Sequence, residues 1–453
     1  MRLNSIRAIS LASLVGLPAS SASAQCSFES MRWSRYAGGD LNSAVVGVTT
    51  WDMDGAGPLQ PVIGGIGNLT SAGSIPLSRV GLLDEGGWRP AGAGVSGTPD
   101  CVISFDFDGS GPQTPRLVAG GGFSASGTMP LSRIGAFDGT QWFPISGGVT
   151  ATGSPTVYHL GRHNNWLLAA GNFASIGGVS VPGLAYWDQA GWHAFPDARA
   201  TGPDSLLSAF GSLYVGGRWQ ITQNPLLLTG IYRWSGTQWE TVGTGFPQDH
   251  VDAMAVYQGQ LIAGGEFTNA CCGNQPAPGE HIARFNGATW EPLGLGLNGP
   301  VLALCTFDPD GPGPLPELLI AGGSFLMAGG GPASYIAAWD GTQWRAMGGG
   351  TTGTVRSMTV WKGRLVVAGQ FFEAGGIVSP GLAFWSCPSA VPCYANCDAS
   401  TLMPTLNVAD FVCFMNRFAA IDPGANCDSS TTPPALNVAD FICYVNAFAA
   451  GCI

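Results

Sequence analysis

The sequence predicts an all-β, seven-bladed β-propeller followed by a small α-helical, cysteine-rich domain. The first observation is a repeat with paired glycines and a later tryptophan, clearest in LLIAGGSFLMAGGGPASYIAAWDGTQWRAM at 318–347. The second is that the glycine pair recurs along most of the chain. The third is a change of composition at Cys387, after which a different, shorter repeat begins.

One repeat reads as four strands. The segments 301–307, 317–325, 335–339 and 343–347 are apolar and rich in β-forming residues. Asp340-Gly341 is a hairpin signal, because glycine adopts positive φ without steric cost. A four-stranded sheet cannot bury both faces alone, so neighbouring units are expected to stack radially, as propeller blades do.

The repeat count predicts how the ring closes. The second glycine of the pair falls at Gly65, Gly121, Gly171, Gly217, Gly265, Gly323 and Gly369. The fourth-strand tryptophan falls at Trp88, Trp142, Trp192, Trp239, Trp290 and Trp344, one short of seven. Residues 31–39, MRWSRYAGG, match QWRAMGGG of the sixth unit, so we expect them to complete the last blade and remove its open edge. The predicted propeller domain spans 25–386.

This repeat resembles kelch-like propellers, and more closely the glycine-rich "AGGxF…IAxWDGxxW" repeats of large secreted bacterial proteins. The resemblance covers 31–386. It implies the fold but not a function, because propellers carry unrelated activities.

Composition and charge exclude two classes of protein. The 453 residues include 69 glycines, but 45% hydrophobic residues, 15 tryptophans and 22 phenylalanines argue against disorder. The formal net charge is −11, and no basic patch is present. Nucleic acid is therefore not an expected partner.

Residues 1–24 are predicted to be a signal peptide. Arg2 and Arg7 precede a short apolar run, and Ala22-Ser23-Ala24 forms a small-residue cleavage site before Gln25. No later apolar run reaches transmembrane length. We expect a secreted, extracellular or cell-surface protein with no transmembrane segment in its mature chain.

Two patterns in the propeller leave metal binding open. The turns at 52–57, 106–111 and 308–313 alternate aspartate with glycine, which fits either a calcium loop or a hairpin connection; the lack of a downstream carboxylate favours the hairpin. The spacing of the five histidines matches no metal-binding motif, so they bind copper or zinc only if they converge at the central channel of the propeller. They are His159, His163, His193, His250 and His281.

Residues 387–453 carry a second repeat with a period of 30. ANCDASTLMPTLNVADFVCFMNRFAA starts at Ala395, and ANCDSSTTPPALNVADFICYVNAFAA starts at Ala425. Each copy is a polar loop followed by an amphipathic segment, 409–418 or 439–448, whose apolar residues recur at helical spacing.

This pair of loop–helix units resembles a dockerin of the GC type, the calcium-dependent EF-type module that joins secreted proteins to a cohesin. The resemblance covers 393–452 and implies Ca²⁺ ligands at matching positions. They are Asn396, Asp398, Ser400, Asn407 and Asp410, and in the second copy Asn426, Asp428, Ser430, Asn437 and Asp440. Each loop starts with Asn and has Thr at position six, so the expected Ca²⁺ affinity is weak. No other cofactor is expected.

Six cysteines bracket or repeat within this module and are candidates for disulfides. They are Cys393, Cys397, Cys413, Cys427, Cys443 and Cys452. Six cysteines allow 15 connectivities, so the pattern suggests pairing without assigning it. A bridge closing a loop of about 15 residues stabilises by about 3 kcal/mol.

The dockerin resemblance implies a cohesin-like or other surface protein as partner. The residues before the last calcium ligand contact the cohesin, here Val408 and Ala409, and Val438 and Ala439. The alternative is that these residues pack the two helices together.

We therefore expect a non-catalytic, secreted propeller that binds a glycan or protein and is anchored by its C-terminal module. The alternative is a dockerin-tethered carbohydrate-active enzyme, active in polysaccharide breakdown, or a galactose-oxidase-like oxidoreductase. A third hypothesis is a structural coat component. No catalytic residues are assigned, since no nucleophile motif or carboxylate pair stands out.

Overall fold

The computed structural model describes most of the predicted propeller. The described residues are 26–36, 39–52, 60–65, 69–84, 87–109, 111–150, 153–196, 198–199, 203–217, 220–221, 230–243, 250–268, 280–310, 315–387 and 415–416. One compact unit is Ser27–Cys387, and the other comprises residues 1–26 and 388–453. The predicted signal peptide, and the ligand, partner and cysteine positions between 393 and 452, lie outside the described residues.

The first unit contains seven four-stranded antiparallel sheets among its described residues, here numbered in chain order and listed from first to fourth strand. Sheet 1 comprises Val45–Trp51, Gln60–Gly65, Val80–Asp84 and Gly87–Pro90; sheet 2 comprises Pro99–Phe105, Arg116–Gly121, Ile134–Phe137 and Trp142–Pro144. Sheet 3 comprises Thr156–His163, Trp166–Asn172, Leu184–Trp187 and Trp192–Ala194; sheet 4 comprises Ser205–Ala209, Ser212–Gly217, Gly230–Trp234 and Trp239–Thr241.

The remaining sheets repeat the same order. Sheet 5 comprises Val251–Tyr257, Gln260–Gly265, Ile282–Phe285 and Trp290–Pro292; sheet 6 comprises Val301–Phe307, Leu318–Gly323, Ile336–Trp339 and Trp344–Ala346. Sheet 7 comprises Thr354–Trp361, Arg364–Gln370, Leu382–Ser386 and, from the other end of the unit, Arg32–Ser34. A single 3-10 turn, Phe28–Ser30, precedes that last strand.

The first strand of each sheet lies innermost. It contacts the first strand of the next sheet all along the series, and Thr354–Trp361 of sheet 7 contacts Val45–Trp51 of sheet 1. The first strands therefore surround a common axis, and the fold is all-β and propeller-like. Within the described residues, no helix has the length and apolar character that crossing a bilayer requires.

The N-terminal strand pairs antiparallel with the last strand of the unit. Trp33 lies opposite Trp385, and Arg32 lies opposite Ser386. The two indole rings are 5.1 Å apart between centroids. Sheet 7 is thus built from both ends of the unit, so its outer edge is covered by a segment that precedes all the other sheets.

Short ribbons connect the second and third strands of five sheets. They are Ser71–Ala72 with Ile75–Pro76, Ala125–Ser126 with Met129–Pro130, Ser175–Ile176 with Val179–Ser180, Met327–Ala328 with Gly331–Pro332, and Glu373–Ala374 with Ile377–Val378. In sheet 4, Gln220–Ile221 of the same connection pairs instead with Ala198–Arg199, in the connector that enters the sheet. The connector entering a sheet pairs with its ribbon, as Leu297 does with Ala328 and Thr351 with Ala374. In an antiparallel sheet both kinds of connection leave from one edge, so the ribbons share one face of the ring.

The hydrophobic core lies between neighbouring sheets. One cluster joins Trp51 and Leu82 of sheet 1 to Leu117 and Phe137 of sheet 2, all fully or nearly fully buried. Equivalent clusters join sheets 2 and 3, 3 and 4, 4 and 5, 5 and 6, and 7 and 1. Each sheet therefore depends on its neighbours for burial, as the repeat predicts.

In sheets 5 and 6, the two glycines of the pair are required for different contacts. A Cβ on Gly322 would lie 2.4 Å from Val355 Cγ1 of the next sheet, and one on Gly264 would lie 2.5 Å from Val301 Cγ1. A Cβ on Gly323 would lie 2.0 Å from the carbonyl oxygen of Pro300, just before the first strand of its own sheet. The missing side chain of the first glycine leaves room for the neighbouring sheet. That of the second leaves room for the segment that enters the same sheet.

Candidate functional site

A β-bulge recurs at the start of the innermost strand in six of the seven described sheets. The inserted residues are Val46, Asp100, Tyr158, Asp252, Leu302 and Arg356. In sheet 4 the register is continuous from Ser205 onward. A bulge re-aims one side chain and strengthens the local twist. Six of the seven sheets therefore present one irregular residue at the ribbon end of the axis, and three of those residues are charged.

Asp204, His250 and Asp252 form a compact cluster at this end of the axis. Asp204 directly precedes the innermost strand of sheet 4, and His250 directly precedes that of sheet 5. One ligand atom from each of the three side chains lies within 4.8 Å of the others. Nδ1 of His250 and Oδ2 of Asp204 are 2.7 Å apart. The bulge places Asp252 beside this pair.

The electrostatics of the cluster are dominated by carboxylates. Burial, together with the negative charges of Asp204 and Glu266, raises the pKa of Asp252 to about 7. Oδ2 of Asp252 is shielded from solvent and has no hydrogen-bond partner among the described residues. Arg356 of sheet 7 acts in the opposite direction on this pKa, although sheet 6 lies between the two sheets. Both bulge residues therefore lie close to the common axis.

The histidines converge only in part. Burial lowers the pKa of His159, and the nearby charge of Asp204 opposes that shift, so His159 and His250 share one acidic neighbour. His163 is buried and hydrogen-bonded to Ser208 at 2.9 Å. The other two stand apart. His193 pairs with Asp188 at the surface, and His281 bonds the carbonyl of Gly265.

The aspartate–glycine turns in sheets 2 and 6 are hairpin connections, as the sequence favours. Oδ1 of Asp106 accepts hydrogen bonds from the backbone N–H groups of Asp108 and Gly109, both at 3.1 Å. In sheet 6, Oδ1 of Asp308 accepts from the N–H of Asp310 at 3.3 Å. The carboxylates are thus used to shape the turn. Residues 53–59 of the third such turn lie outside the described residues.

A second candidate surface lies on the ribbon face of sheets 5 to 7. Six large apolar side chains are exposed there, and we call them the apolar patch: Leu295, Leu326, Met327, Phe372, Ile377 and Val378. Leu295 and Phe372 are 64% and 58% exposed. Soluble proteins rarely expose contiguous apolar area of this kind without a partner.

The segments that carry the apolar patch are neighbours along the ribbon face. A Cβ on Gly330, in the ribbon of sheet 6, would lie 3.6 Å from Cδ1 of Leu295. The connector into sheet 7 then bridges the two ribbons, since the N–H of Thr351 donates to Ser334 and the N–H of Gly375 donates to Gly350. The exposed side chains therefore sit on adjacent ribbons.

A groove of about 640 Å³ opens beside the apolar patch, between the outer strands of sheets 6 and 7. Ile377 lines both the patch and the groove. The guanidinium of Arg345 lies 5.6 Å above the ring of Phe28, and its Nε donates to Asp340 at 2.6 Å. The groove adds polar and aromatic contacts to an otherwise aliphatic surface.

Six of the seven fourth-strand tryptophans are buried in the core, and Trp344 is half-buried. Trp142 and Trp290 are each 2% exposed. Several indoles donate to the carbonyl at the end of the preceding sheet, with Trp142 bonding Ala91 at 2.8 Å and Trp344 bonding Leu293 at 2.9 Å. These hydrogen bonds hold neighbouring sheets together.

The cysteines of the described residues fall into two groups. Cys26 and Cys387 are each disulfide-bonded. Cys101 and Cys305, on the innermost strands of sheets 2 and 6, are free thiols. Burial raises the pKa of Cys305 to about 12, so this thiol stays protonated and unreactive at neutral pH.

Sequence reasoning missed the Asp204–His250–Asp252 cluster. Its members are contributed by two sheets, and the pairing of Asp204 with His250 spans 46 residues. The available signal was the local pattern His250-Val251-Asp252, in which alternate residues of a strand share a face.

No protein-family model matches the chain, and no curated protein matches it. Among solved structures, the WD40 β-propeller domain of Doa1 aligns with a TM-score of 0.45 at 12% identity, covering 80% of this chain and 98% of that one. A crystal structure of BBS1N in complex with ARL6DN aligns with a TM-score of 0.45 at 10% identity, covering 79% and 98%. The computationally designed Ika8 protein aligns with a TM-score of 0.42 at 12% identity, covering 78% and 98%.

Proposed function

We propose that this chain is a secreted, non-catalytic binding protein whose propeller captures a protein partner and whose C-terminal residues attach it to a surface. The observation that carries the proposal is the apolar patch, whose exposed side chains lie on adjacent ribbons of one face. Exposed apolar side chains of this size gain free energy when a partner covers them.

The chemistry of the patch favours a protein over a glycan. Its side chains are mostly aliphatic, whereas sugar recognition depends on exposed aromatic faces and dense hydrogen bonding. The groove beside Ile377 supplies two cations, Arg32 and Arg345, and one exposed carboxylate, Glu29. A partner segment with apolar anchors and a flanking charged residue fits this combination.

The scaffold is proposed to be a closed, seven-bladed ring of the kelch-like, glycine-rich type. Seven four-stranded sheets and the contact between the innermost strands of sheets 7 and 1 support this count. Pairing of Trp33 with Trp385 supports closure by the N-terminal strand. In such a ring the ribbons form a rim around the axis, which presents the apolar patch at a fixed position.

Export is proposed from the signal-peptide pattern of residues 1–24. The disulfide-bonded state of Cys26 and Cys387 supports it, because disulfides persist in oxidising compartments and are rare in the cytosol. Attachment is proposed through the dockerin-like residues 393–452, with weak Ca²⁺ binding in their loops and a cohesin-like protein as partner.

The test is a binding measurement with the exported, full-length protein. A partner captured from the extracellular fraction is identified, purified and titrated against wild type and against Leu326→Glu/Phe372→Glu. We expect the double variant to weaken binding at least tenfold, since each charge must be desolvated against an apolar surface. Phe210→Glu is the matched control, because Phe210 is 57% exposed in the turn between the first two strands of sheet 4.

Equal binding by wild type and the patch variant would contradict the proposal. Turnover of polysaccharides by the wild-type protein would instead favour the enzyme alternative. Binding of glycans with an affinity that the patch variant does not change would favour a carbohydrate ligand elsewhere on the ring.

A further inference from the structure

The cluster of Asp204, His250 and Asp252 has the composition of a metal site. It combines two carboxylates with one imidazole, and their ligand atoms lie within 4.8 Å of one another. Zinc holds nitrogen and oxygen ligands at about 2 Å, so ligand atoms bound to one ion lie within roughly 4 Å of each other. Side-chain movements of under about 1 Å therefore bring all three atoms to one ion.

A second observation points to a missing cation. Oδ2 of Asp252 is shielded from solvent and has no hydrogen-bond donor among the described residues. Buried carboxylate oxygens are normally satisfied by donors or by metal ions. The negative charges of Asp204 and Glu266 also act on Asp252, and the opposing Arg356 belongs to a sheet two positions away. The cluster is thus rich in electron-pair donors.

We propose that Asp204, His250 and Asp252 bind one divalent transition-metal ion of the Zn²⁺ class at the ribbon end of the axis. The imidazole selects such an ion over Ca²⁺ and Mg²⁺, which prefer oxygen ligands. The ion replaces the proton shared by Nδ1 of His250 and Oδ2 of Asp204, and that proton is released to solvent. Three protein ligands leave a further position for water.

The ion would link sheets 4 and 5 at the point where the bulge interrupts the innermost strand of sheet 5. Asp204 belongs to the entrance of sheet 4, while His250 and Asp252 belong to sheet 5. A bound ion therefore stabilises the contact between two sheets. The gain in the free energy of unfolding increases with the ratio of the free ion concentration to the dissociation constant.

The test is a calorimetric titration of the untagged mature protein with Zn²⁺. The buffer contains excess Ca²⁺, and no other transition-metal ion is added. We expect one ion per chain, with affinity lowered at least tenfold in Asp252→Asn and in His250→Gln. His193→Gln is the matched control, because His193 pairs with Asp188 at 2.8 Å without a third ligand in the group. That variant should bind Zn²⁺ as wild type does.

Co²⁺ substitution separates this site from the cysteine-rich C-terminal residues. The proposed ligands give a cobalt spectrum without thiolate-to-metal charge transfer, and Asp252→Asn removes it. Asp252→Asn keeps the size of the side chain, so it remains informative if His250→Gln fails to fold. Failure of wild type to bind, an affinity in both ligand variants equal to that of wild type, or a cobalt spectrum of thiolate ligation alone would overturn the proposal.

Discussion

The indole Nε1 of Trp33 donates a 2.8 Å hydrogen bond to the backbone carbonyl of Met347, 314 residues further along the chain. The same bond joins Trp142 to Ala91 within continuous sequence. The N-terminal strand is thus held to sheet 6 by the same kind of indole–carbonyl hydrogen bond that joins other neighbouring sheets, although the strand comes from the opposite end of the unit.

Replacing Trp33 with Phe should lower the free energy of unfolding by about 1–3 kcal/mol, because the buried carbonyl of Met347 loses its donor. Hydrogen exchange at Arg32–Ser34 should accelerate as the strand opens locally. Trp142→Phe is the control, since it removes an equivalent bond but should leave protection at Arg32–Ser34 unchanged. Unaltered exchange in the Trp33 variant would refute this role of the bond.

Gly322→Ala should be destabilising and partly rescued by Val355→Ala. The new Cβ would lie 2.4 Å from Cγ1 of Val355, and such overpacking costs about 1–3 kcal/mol. Removing the valine methyl groups relieves the clash, so the double variant should lose less stability than the sum of the singles. Urea denaturation of the four proteins measures the coupling.

Gly323→Ala is the control for this comparison of single and double variants. Its Cβ would meet the backbone carbonyl of Pro300 at 2.0 Å, and no side-chain truncation removes that atom. Val355→Ala should therefore fail to rescue it. If the losses of stability caused by Gly322→Ala and Val355→Ala simply added in the double variant, the two residues would not be in contact as described.

Asp100→Asn should make the protein more stable than wild type at pH 8 but not at pH 4. Burial raises the pKa of Asp100 to about 6 from an ordinary value of 3.8. As the pH rises, the Asp100 carboxyl therefore loses its proton in the unfolded state before it does so in the folded state. The free energy of unfolding falls as the pH rises from about 4 to 6. Asparagine cannot ionise and avoids this loss.

Asp138→Asn should behave in the opposite way. Burial has the largest single effect and raises the pKa of Asp138, but hydrogen bonds from Gln141 and Thr140 together outweigh it and hold the pKa below the ordinary value. This variant should be less stable than wild type near neutral pH, and the difference should close as the pH falls through the folded-state pKa. Denaturant midpoints at several pH values test both signs, and parallel curves for all three proteins would contradict them.

Charging Ala409 and Ala439 together, each to Asp, should abolish capture of the cohesin-like partner while the C-terminal module stays folded. One change alone should leave binding nearly unaltered, because the repeated module offers a second, equivalent face. Surface plasmon resonance with the purified partner measures binding, and circular dichroism reports folding. Retained binding by the double variant, or loss of fold from one change, would contradict the predicted interface.

The repeat pattern predicted the all-β fold because each repeat carries its own strand and turn signals. Asp138-Gly139 and Asp340-Gly341 show why: the aspartate accepts backbone N–H bonds two and three residues on, and the glycine has positive φ. Such information is local, so it can be read from one repeat. The buried tryptophans were predictable for the same reason.

The candidate sites were not predictable in this way. The cluster of Asp204, His250 and Asp252 depends on which sheets become neighbours and on a bulge that no hairpin spacing encodes. The apolar patch depends on ribbons only two residues long in each strand, too short for an alternating pattern to be recognised. Leu326 and Phe372 therefore read as extensions of the core strands, although both are exposed.

The contact between Gly322 and Val355 also bears on how such a chain can lengthen or shorten. In sheets 2, 4, 5 and 6 the first glycine of the pair is matched to a valine of the following sheet, so the complementary pair straddles the boundary between sheets. A duplication that copies one whole sheet still preserves every pair, provided that the copied sheet carries both the valine and the glycine of the repeat. Unequal recombination within the glycine-coding stretch meets this condition automatically, which makes that stretch a natural crossover point for gaining or losing a blade.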